Sequence, residues 1–469
     1  TQSRSSAASD VYKRQNERYS MDSESTHRPS AGITRRQFVQ SAAAGLAVSL
    51  PAWGQRPEAT QPAEELAVAI IGPGSQGRYL MTHCLKIPGI RFVAVCDIWP
   101  YHQEYAAKLL KKYDQLVNVY ADYREMLAKE KHLDAVIIAT PDWVHAEQTI
   151  ACLQAGKHVY CEKEMSNSID AARQMVLAAR QTGKLLQIGH QRRSSPIYFH
   201  ARRLIEKDKI LGRITHAFGQ WNRARLHEVG YPQGRELDAD TLKRYGYESM
   251  EQFCNWRWYR RYSGGPLADL GSHQIDVFNW FLGCPPKSVL ASGGLDYYTE
   301  QPGRDWYDNV MTIYEFAPPS GPVRGFYQVL NTTSHGGVYE AFMGDEGSLM
   351  VSEVPDKNLI FREQHAKKRE WEDMAAKVDS LGREAIELKI GETLTASGQK
   401  DAAAQQMLAE SQKAPHLLHL ENFFNAIRAG KPLNCPAEVA FEVCVSVLRA
   451  NEAVASGHRY DFKPEEFKA

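Results

Sequence analysis

The sequence predicts an α/β chain in two parts, a doubly wound parallel sheet followed by an α+β region built on an antiparallel sheet. Three observations lead there. Short continuous apolar runs alternate with amphipathic stretches as far as residue 188, the signature of strands buried on both faces and joined by helical crossovers. Beyond that point the apolar runs become period-two or mixed and are separated by turn residues, as in antiparallel strands. The 469 residues are 43% hydrophobic and 24% charged, which is room for two or three domains with cores of their own.

In chain order, residues 1–63 read as a leader and are set aside from the fold. Within them "ITRRQFVQSAAAGLAVSLPAWGQ" carries Arg35 and Arg36, then Phe38, an apolar run from Ala42 to Leu50, and small residues near Ala52 and Gly54. This stretch resembles a twin-arginine export signal cleaved near Gln55, so a periplasmic or otherwise exported location is expected. The apolar run is too short for a membrane span. Residues 1–20 are polar and patternless, Met21 is an alternative start, and Pro57 to Pro62 reads as a spacer.

Strands of the first domain (64–188) are expected at "LAVAII" (66–71), "FVAVC" (92–96), "AVIIA" (135–139), "HVYC" (158–161) and "LLQIG" (185–189). Between the last two, Ser168 is placed to cap a helix and Gly183 to close it. The second domain (189–469) opens with a helix-like stretch near Tyr198 to Glu206. It then shows strand patterns at "RITHAFGQW" (213–221), "NVMTIYEF" (309–316), "RGFYQVLN" (324–331), "VYEAFMG" (338–344) and "GSLMV" (347–351). Residues 362–390 are heavily charged, with Trp371, Met374, Val378 and Leu381 at helical spacing. They are expected to form a solvated amphipathic helix within a charged insertion of 362–414. The C-terminal stretch reads as two helices broken at Gly430 and Pro432.

Composition narrows the partners. Lys plus Arg equals Asp plus Glu at 56 each, with pI near 7.2, so no basic field for nucleic acid is built in. The eight cysteines include no C-x-x-C pair, which argues against a disulfide framework and against a zinc site. No metal is expected.

Three motifs carry chemistry. In "VAIIGPGSQGRYL", Gly72, Gly74 and Gly77 form G-x-G-x-x-G directly after a strand and opening a helix. Glycines there allow a tight turn and close approach of a pyrophosphate to the helix N-terminus. About twenty residues further on the second strand ends in Asp97, whose carboxylate suits ribose hydroxyls and repels a 2′-phosphate, so NAD is favoured over NADP. In "IIATPDWVHAEQTI", Thr140 and Pro141 turn the chain over the carboxyl edge of the sheet, and with His145 should line the nicotinamide-ribose side. In "WYRRYSGGPLADLGSHQIDVFNWFLG", Asp269 and His273 are four residues apart and hence on one helical face. A carboxylate one turn from an imidazole can fix its tautomer and raise its basicity, as a general base requires. The preceding aromatic and cationic cluster (Trp256, Trp258, Tyr259, Arg260, Arg261 and Tyr262) suits a sugar ring and its hydroxyls or carboxylates.

In this order, G-x-G-x-x-G with Asp97, A-T-P-x-x-x-H, E-K before a small helix cap, and G-G-x-x-x-D-x-G-x-H resemble the glucose–fructose oxidoreductase/inositol dehydrogenase/MocA family over residues 64–465. The resemblance implies an N-terminal Rossmann domain, a C-terminal domain with a large mostly antiparallel sheet, and NAD(P)-linked oxidation or reduction of sugars and polyols. It also implies a homodimer or homotetramer formed through that sheet, and in exported members a tightly held nicotinamide. Glu162 and Lys163 match the family's E-K-P, and Asp269 and His273 its catalytic Asp and His. Cofactor contacts are expected further from Ser75, Gln76, Glu162, Lys163 and Gln191. Substrate contacts are expected from Arg192, Trp256, Trp258 and Tyr259, with Asp269 and His273.

The expected reaction is hydride transfer between a sugar, glycoside or polyol hydroxyl and NAD. His273, oriented by Asp269, takes the hydroxyl proton, and Lys163 donates a hydrogen bond to the same oxygen. The alternative is an NAD-dependent glycosidase that oxidises, eliminates, hydrates and re-reduces; a non-catalytic sugar- or nucleotide-binding protein is a third class. One departure stands out: Glu164 occupies the place of the family's proline, and is expected either to pair with Lys163 or to face solvent.

Overall fold

The computed structural model describes residues 64–469 except 225–227, 301–302, 381 and 399. The twin-arginine stretch lies outside the described residues.

The first sheet is six-stranded and parallel, in the order β3-β2-β1-β4-β5-β6. Its elements are β1 Leu66–Ile71, α1 Ser75–Cys84, β2 Ile90–Cys96, α2 Pro100–Lys111, β3 Asn118–Tyr120 and α3 Tyr123–Lys129, then β4 Ala135–Ile138, α4 Asp142–Gln154, β5 His158–Cys161, α5 Ile169–Thr182 and β6 Leu186–Ile188. β1 and β4 are buried almost throughout, which is why they read as unbroken apolar runs. Strand order reverses between β1 and β4, so their carboxyl ends flank the crevice where such sheets bind ligands. The Ser168 hydroxyl caps α5 by accepting the Ala171 N–H at 3.4 Å, and Gly183 closes the helix at φ 64°. β3 escapes a pattern reading because it is three residues long with Asn118 and Val119 exposed.

The second sheet has ten strands in the order β14-β15-β13-β12-β11-β7-β10-β9-β8-β16. The chain runs α6 Pro196–Glu206, β7 Ile214–Asn222, α7 Ala239–Arg244, α8 Met250–Cys254, α9 Ser272–Leu282, β8 Ser288–Gly294, β9 Asn309–Phe316, β10 Val323–Leu330, β11 Val338–Gly344 and β12 Gly347–Val351. It continues through β13 Leu359–Arg362, β14 Lys377–Ser380, β15 Arg383–Glu387, α10 Ile390–Ala396, α11 Ala402–Glu410, α12 Pro415–Ala429, α13 Ala437–Ser456 and β16 Tyr460–Asp461. Its strands pair antiparallel except β7 with β10, which run parallel. Side chains alternate: Val310, Thr312, Tyr314 and Phe316 of β9 are buried, whereas Met311 and Ile313 are exposed. The buried face packs on α9 and α13, each large apolar side chain contributing about 1.5–3 kcal/mol. Glycines make room for this: a Cβ on Gly219 would lie 3.1 Å from the Phe278 ring, and one on Gly325 2.9 Å from Phe316.

Residues 362–390 are not an amphipathic helix. They supply the end of β13, a 3-10 turn at Glu370–Asp373, and the hairpin β14–β15 at the sheet edge. Of the residues in these two strands, only Ala385 and Ile386 are buried. Charged outward positions are how an edge strand avoids pairing with another chain, and that charge masks the period of two.

The last helices return to the first domain. Leu420, Phe423 and Phe424 of α12 share a core with Val68, Ile70, Leu80, Ile137 and Tyr160, and Gln187 Nε2 donates to His419 O at 2.7 Å. Gly430, at φ 62°, ends α12 as its sequence suggests. Among the described residues no helix is long and apolar enough to cross a membrane, no group of three His, Cys, Asp or Glu is arranged to hold a metal, and the eight cysteines are free.

Candidate functional site

The glycine loop sits between β1 and α1. Gly72 turns at φ 82°, a left-handed value that glycine takes without strain. A Cβ on it would lie 2.6 Å from Thr140 Cγ2, and one on Gly77 only 2.3 Å from Gly72 O, so backbone and helix approach as closely as atoms permit. α1 begins after Gly74 with no side-chain cap, which leaves its first N–H groups available to an anion. Ser75 is exposed at that end, and Gln76 Nε2 donates to Glu162 Oε1 at 3.1 Å. Asp97 follows β2; its Oδ1 accepts the Trp99 N–H at 2.8 Å and its Oδ2 lies 3.0 Å from His102 Nδ1. Those contacts fix a carboxylate at the strand end where a ribose is read. The residues present fit a dinucleotide.

β5 delivers Glu162, Lys163 and Glu164. Glu162 is buried against Gly189, and burial raises its pKa. Lys163 reaches the second domain, where Nζ donates to the backbone oxygen of Asp269 and, at 3.3 Å, to its Oδ1. Arg257 Nε donates to the same Oδ1 at 2.9 Å. Burial acts to raise the Asp269 pKa, but the Arg257, Lys163 and Arg223 charges override it and hold the carboxyl well below the usual range.

Asp269 therefore does not orient His273, contrary to the spacing argument. Leu267–Gly271 is a π-turn, which adds a residue to the turn so that positions four apart no longer stack. The Asp269 carboxylate is engaged by Arg257 and Lys163, while His273 Nδ1 is buried without a hydrogen-bond partner among the described residues. His273 lies between the rings of Trp221 and His190, at 5.7 and 5.9 Å between centroids. Burial first, then the Lys163 and Arg192 charges, holds its pKa well below the ordinary value. Burial thus favours the uncharged ring, the form that can accept a proton, while making it a weaker base.

Glu164 neither hydrogen-bonds Lys163 nor faces solvent. It is fully buried, its Oε1 accepts the Met165 N–H at 2.8 Å, and burial, with Asp142 adding to it, pushes its carboxyl up to about 8. Its backbone oxygen lies 2.7 Å from His145 Nδ1. His145 Nε2 lies 2.7 Å from Thr140 O, so both ring nitrogens face backbone carbonyls, of which a neutral ring donates to one. Thr140 and Pro141 turn the chain from β4 into α4, Thr140 Oγ1 donating to Gln148 Oε1 at 2.7 Å and Pro141 preceding α4.

A small cleft, open to solvent, lies beside Asp269. It is lined by Arg223, Arg257, Trp258, Gly265, Pro266, Asp269, Leu270, Arg304, Trp306, Tyr307 and Asn331. Of the residues expected at the substrate, Trp258 and Asp269 line it. Trp256 lies to one side with Arg257 stacked on its ring at 4.2 Å. Tyr259 is buried in an aromatic core with Trp99, Tyr247 and Tyr262. Arg192 is fully buried in ion pairs with Glu340 and, at 3.3 Å, Glu353, so it ties the 3-10 turn Gln191–Ser194 to β11 and is not exposed to a substrate. Gln191 Nε2 donates to Glu353 Oε1 at 3.5 Å. The sequence reading missed Arg223, Arg257, Arg304, Trp306, Tyr307 and Asn331. Arg257 stood between the two tryptophans it singled out; the others come from loops without a motif.

The fold and this site define a two-domain dinucleotide-binding protein. Residues 66–190 match the NAD-binding Rossmann fold of the oxidoreductase family that unites glucose–fructose oxidoreductase, inositol dehydrogenase and MocA, and residues 237–462 match the family's C-terminal alpha/beta domain. The chain belongs to that family, and its cofactor is NAD. It is 31% identical over 229 residues to D-glucoside 3-dehydrogenase of Escherichia coli, covering 48% of this chain and 57% of that protein. It is 26% identical over 286 residues to 2,7-anhydro-N-acetylneuraminate hydratase of Mediterraneibacter gnavus, covering 60% and 66%. The chain thus spans between half and two thirds of the length of these curated relatives. Its fold resembles that of levoglucosan dehydrogenase solved with NADH, at a TM-score of 0.63 and 19% identity over 85% of this chain and all of the other.

Proposed function

We propose that this chain is an NAD-dependent dehydrogenase acting on a hydroxyl of a sugar, glycoside or polyol. The observation that carries the reading is a buried His273 packed on His190 just beyond β6, its Nδ1 unpaired among the described residues, with Lys163 close enough for its charge to act on the ring. NAD, when bound by the Gly72–Gly77 loop and Asp97, supplies the hydride acceptor. His273 takes the hydroxyl proton as the carbinol carbon is oxidised. Lys163, its ammonium held by the Asp269 carboxylate and carbonyl, donates a hydrogen bond to the same oxygen and stabilises its developing negative charge. The aromatic faces of Trp258 and Trp306 suit the apolar face of a sugar ring. The D-glucoside 3-dehydrogenase relative supports the substrate class. In the test, NAD-loaded protein is offered a sugar and polyol panel while reduced nicotinamide is followed. His273→Ala and Lys163→Met should abolish turnover and leave NAD bound; unchanged turnover in either sinks the assignment.

The hydratase relative favours a second reading, transient oxidation followed by elimination, hydration and re-reduction. Product release from a glycoside or anhydro-sugar without net reduced nicotinamide would identify it. We also propose export through the twin-arginine signal of the leader, and a homodimer or homotetramer through the second sheet. The exposed Leu290, Met311, Ile313 and Met343 on its outer face support the latter, and sedimentation of the purified chain tests it.

A further inference from the structure

The cavity beside Asp269 is charged in a way that a neutral sugar does not explain. Three arginines line it, Arg223, Arg257 and Arg304, against one carboxylate, Asp269. That carboxylate is already shared between Arg257 and Lys163. Asp142 and Glu162 also act on Arg257 through their charges. Asp305 Oδ1 accepts the Arg260 N–H at 2.6 Å, and the fully buried Asp308 spends Oδ2 on the N–H groups of Tyr297 and Tyr298 while acting on Arg304 through its charge. None of the three arginines lies on the glycine loop or α1, so the pyrophosphate cradle does not account for them.

Their placement is built by the sheet. β7 and β10 run parallel with Asn222 opposite Leu330, so the residues that follow, Arg223 and Asn331, leave the same sheet end side by side. Arg223 N donates to Leu330 O at 2.8 Å and locks that arrangement. The Arg223 guanidinium makes no ion pair among the described residues; its Nε is buried without a partner, and it stands 5.9 Å from the ring of Trp221. Trp221 in turn lies 5.7 Å from His273 between ring centroids, tilted by 31°. Arg223 and the proposed proton acceptor therefore border the same tryptophan. A planar guanidinium fork matches an oxyanion with two parallel hydrogen bonds.

We infer that the substrate is an anionic sugar, whose oxyanion group (a carboxylate or a phosphate ester) is held by Arg223 with Arg257 and Arg304 while a ring hydroxyl faces His273. The inference rests on the dehydrogenase reading and narrows its substrate class. The group is not consumed in the reaction; it anchors the ring.

The test uses the full chain loaded with NAD and three matched ligands: a methyl hexuronoside, a hexose 6-phosphate and the neutral methyl hexoside. Calorimetry gives each Kd, and reduced nicotinamide gives each rate. At least one anion should bind about 30-fold more tightly than the neutral ligand, the scale of a charged hydrogen-bonded pair. The uronoside and phosphate arms show which oxyanion the site takes. Arg223→Met should erase most of that advantage through Kd and KM for the anion. Equal or weaker binding of both anions overturns the inference, and so does an advantage that survives Arg223→Met. If neutral sugars reduce NAD as well as anions do, the inference falls and the dehydrogenase reading stands. If anions bind through Arg223 and nothing reduces NAD, the dehydrogenase reading falls and the anion site stands.

Discussion

Glu164 offers a quantitative test of the buried layer beneath the site. Its carboxyl lies at about 8 against an ordinary 4.5, chiefly through burial. Between those values the folded chain keeps a proton that the unfolded chain releases. Stability from this group is thus complete below pH 4.5 and is lost as pH rises toward 8. Three and a half pH units at about 1.36 kcal/mol each give about 5 kcal/mol at most, less whatever water entry recovers. Glu164→Gln removes the titration, keeps an oxygen to accept the Met165 N–H and preserves the shape of the side chain. Urea midpoints of wild type and variant, taken from pH 5 to pH 8.5, should diverge steadily in favour of the variant. Buried histidines titrate in both proteins and cancel in the difference. Parallel curves would refute the account of a carboxyl held protonated in this core.

Three further outcomes follow from the same geometry. Asp97→Ala should weaken NAD about tenfold, the cost of a hydrogen bond to a charged group, and narrow the preference over NADP when both Kd values are measured. Arg192→Met should cost about 3–5 kcal/mol by leaving Glu340 buried without its partner, seen as a lowered urea midpoint, while KM for the sugar stays unchanged. His190 and His416 are held near 4 and His419 near 3, mainly by burial. The unfolded chain takes protons at these positions below about 6.5 and the folded chain does not. Stability should therefore decline as pH falls from 6.5 toward 4, read as falling melting temperature.

The parts of the fold legible in the sequence were those whose physics is local. Strands β1 and β4, buried on both faces, print unbroken apolar runs, and the glycine loop prints its motif because backbone contacts admit no Cβ at Gly72 or Gly77. β3 and the β14–β15 hairpin were not legible, since short or charged edge strands carry little apolar signal. At the site, Lys163, Asp269 and His273 could be singled out, but not their wiring. The π-turn at Leu267–Gly271 has no sequence signature, and it turns Asp269 toward Arg257 and Lys163. Arg192 and His145 show the converse: chemistry-bearing residues in the right stretch whose partners, Glu340 and two backbone carbonyls, lie where no spacing rule reaches.

The central claim is tested most directly by label transfer. The NAD-loaded protein is given its best substrate from the sugar panel, deuterated at each carbinol carbon in turn, and the nicotinamide is analysed by mass spectrometry. Deuterium should appear at the nicotinamide ring from one position, and should be absent when His273→Ala or Lys163→Met replaces the wild type. Turnover that leaves the nicotinamide unlabelled, or label transfer undiminished in either variant, would contradict the account.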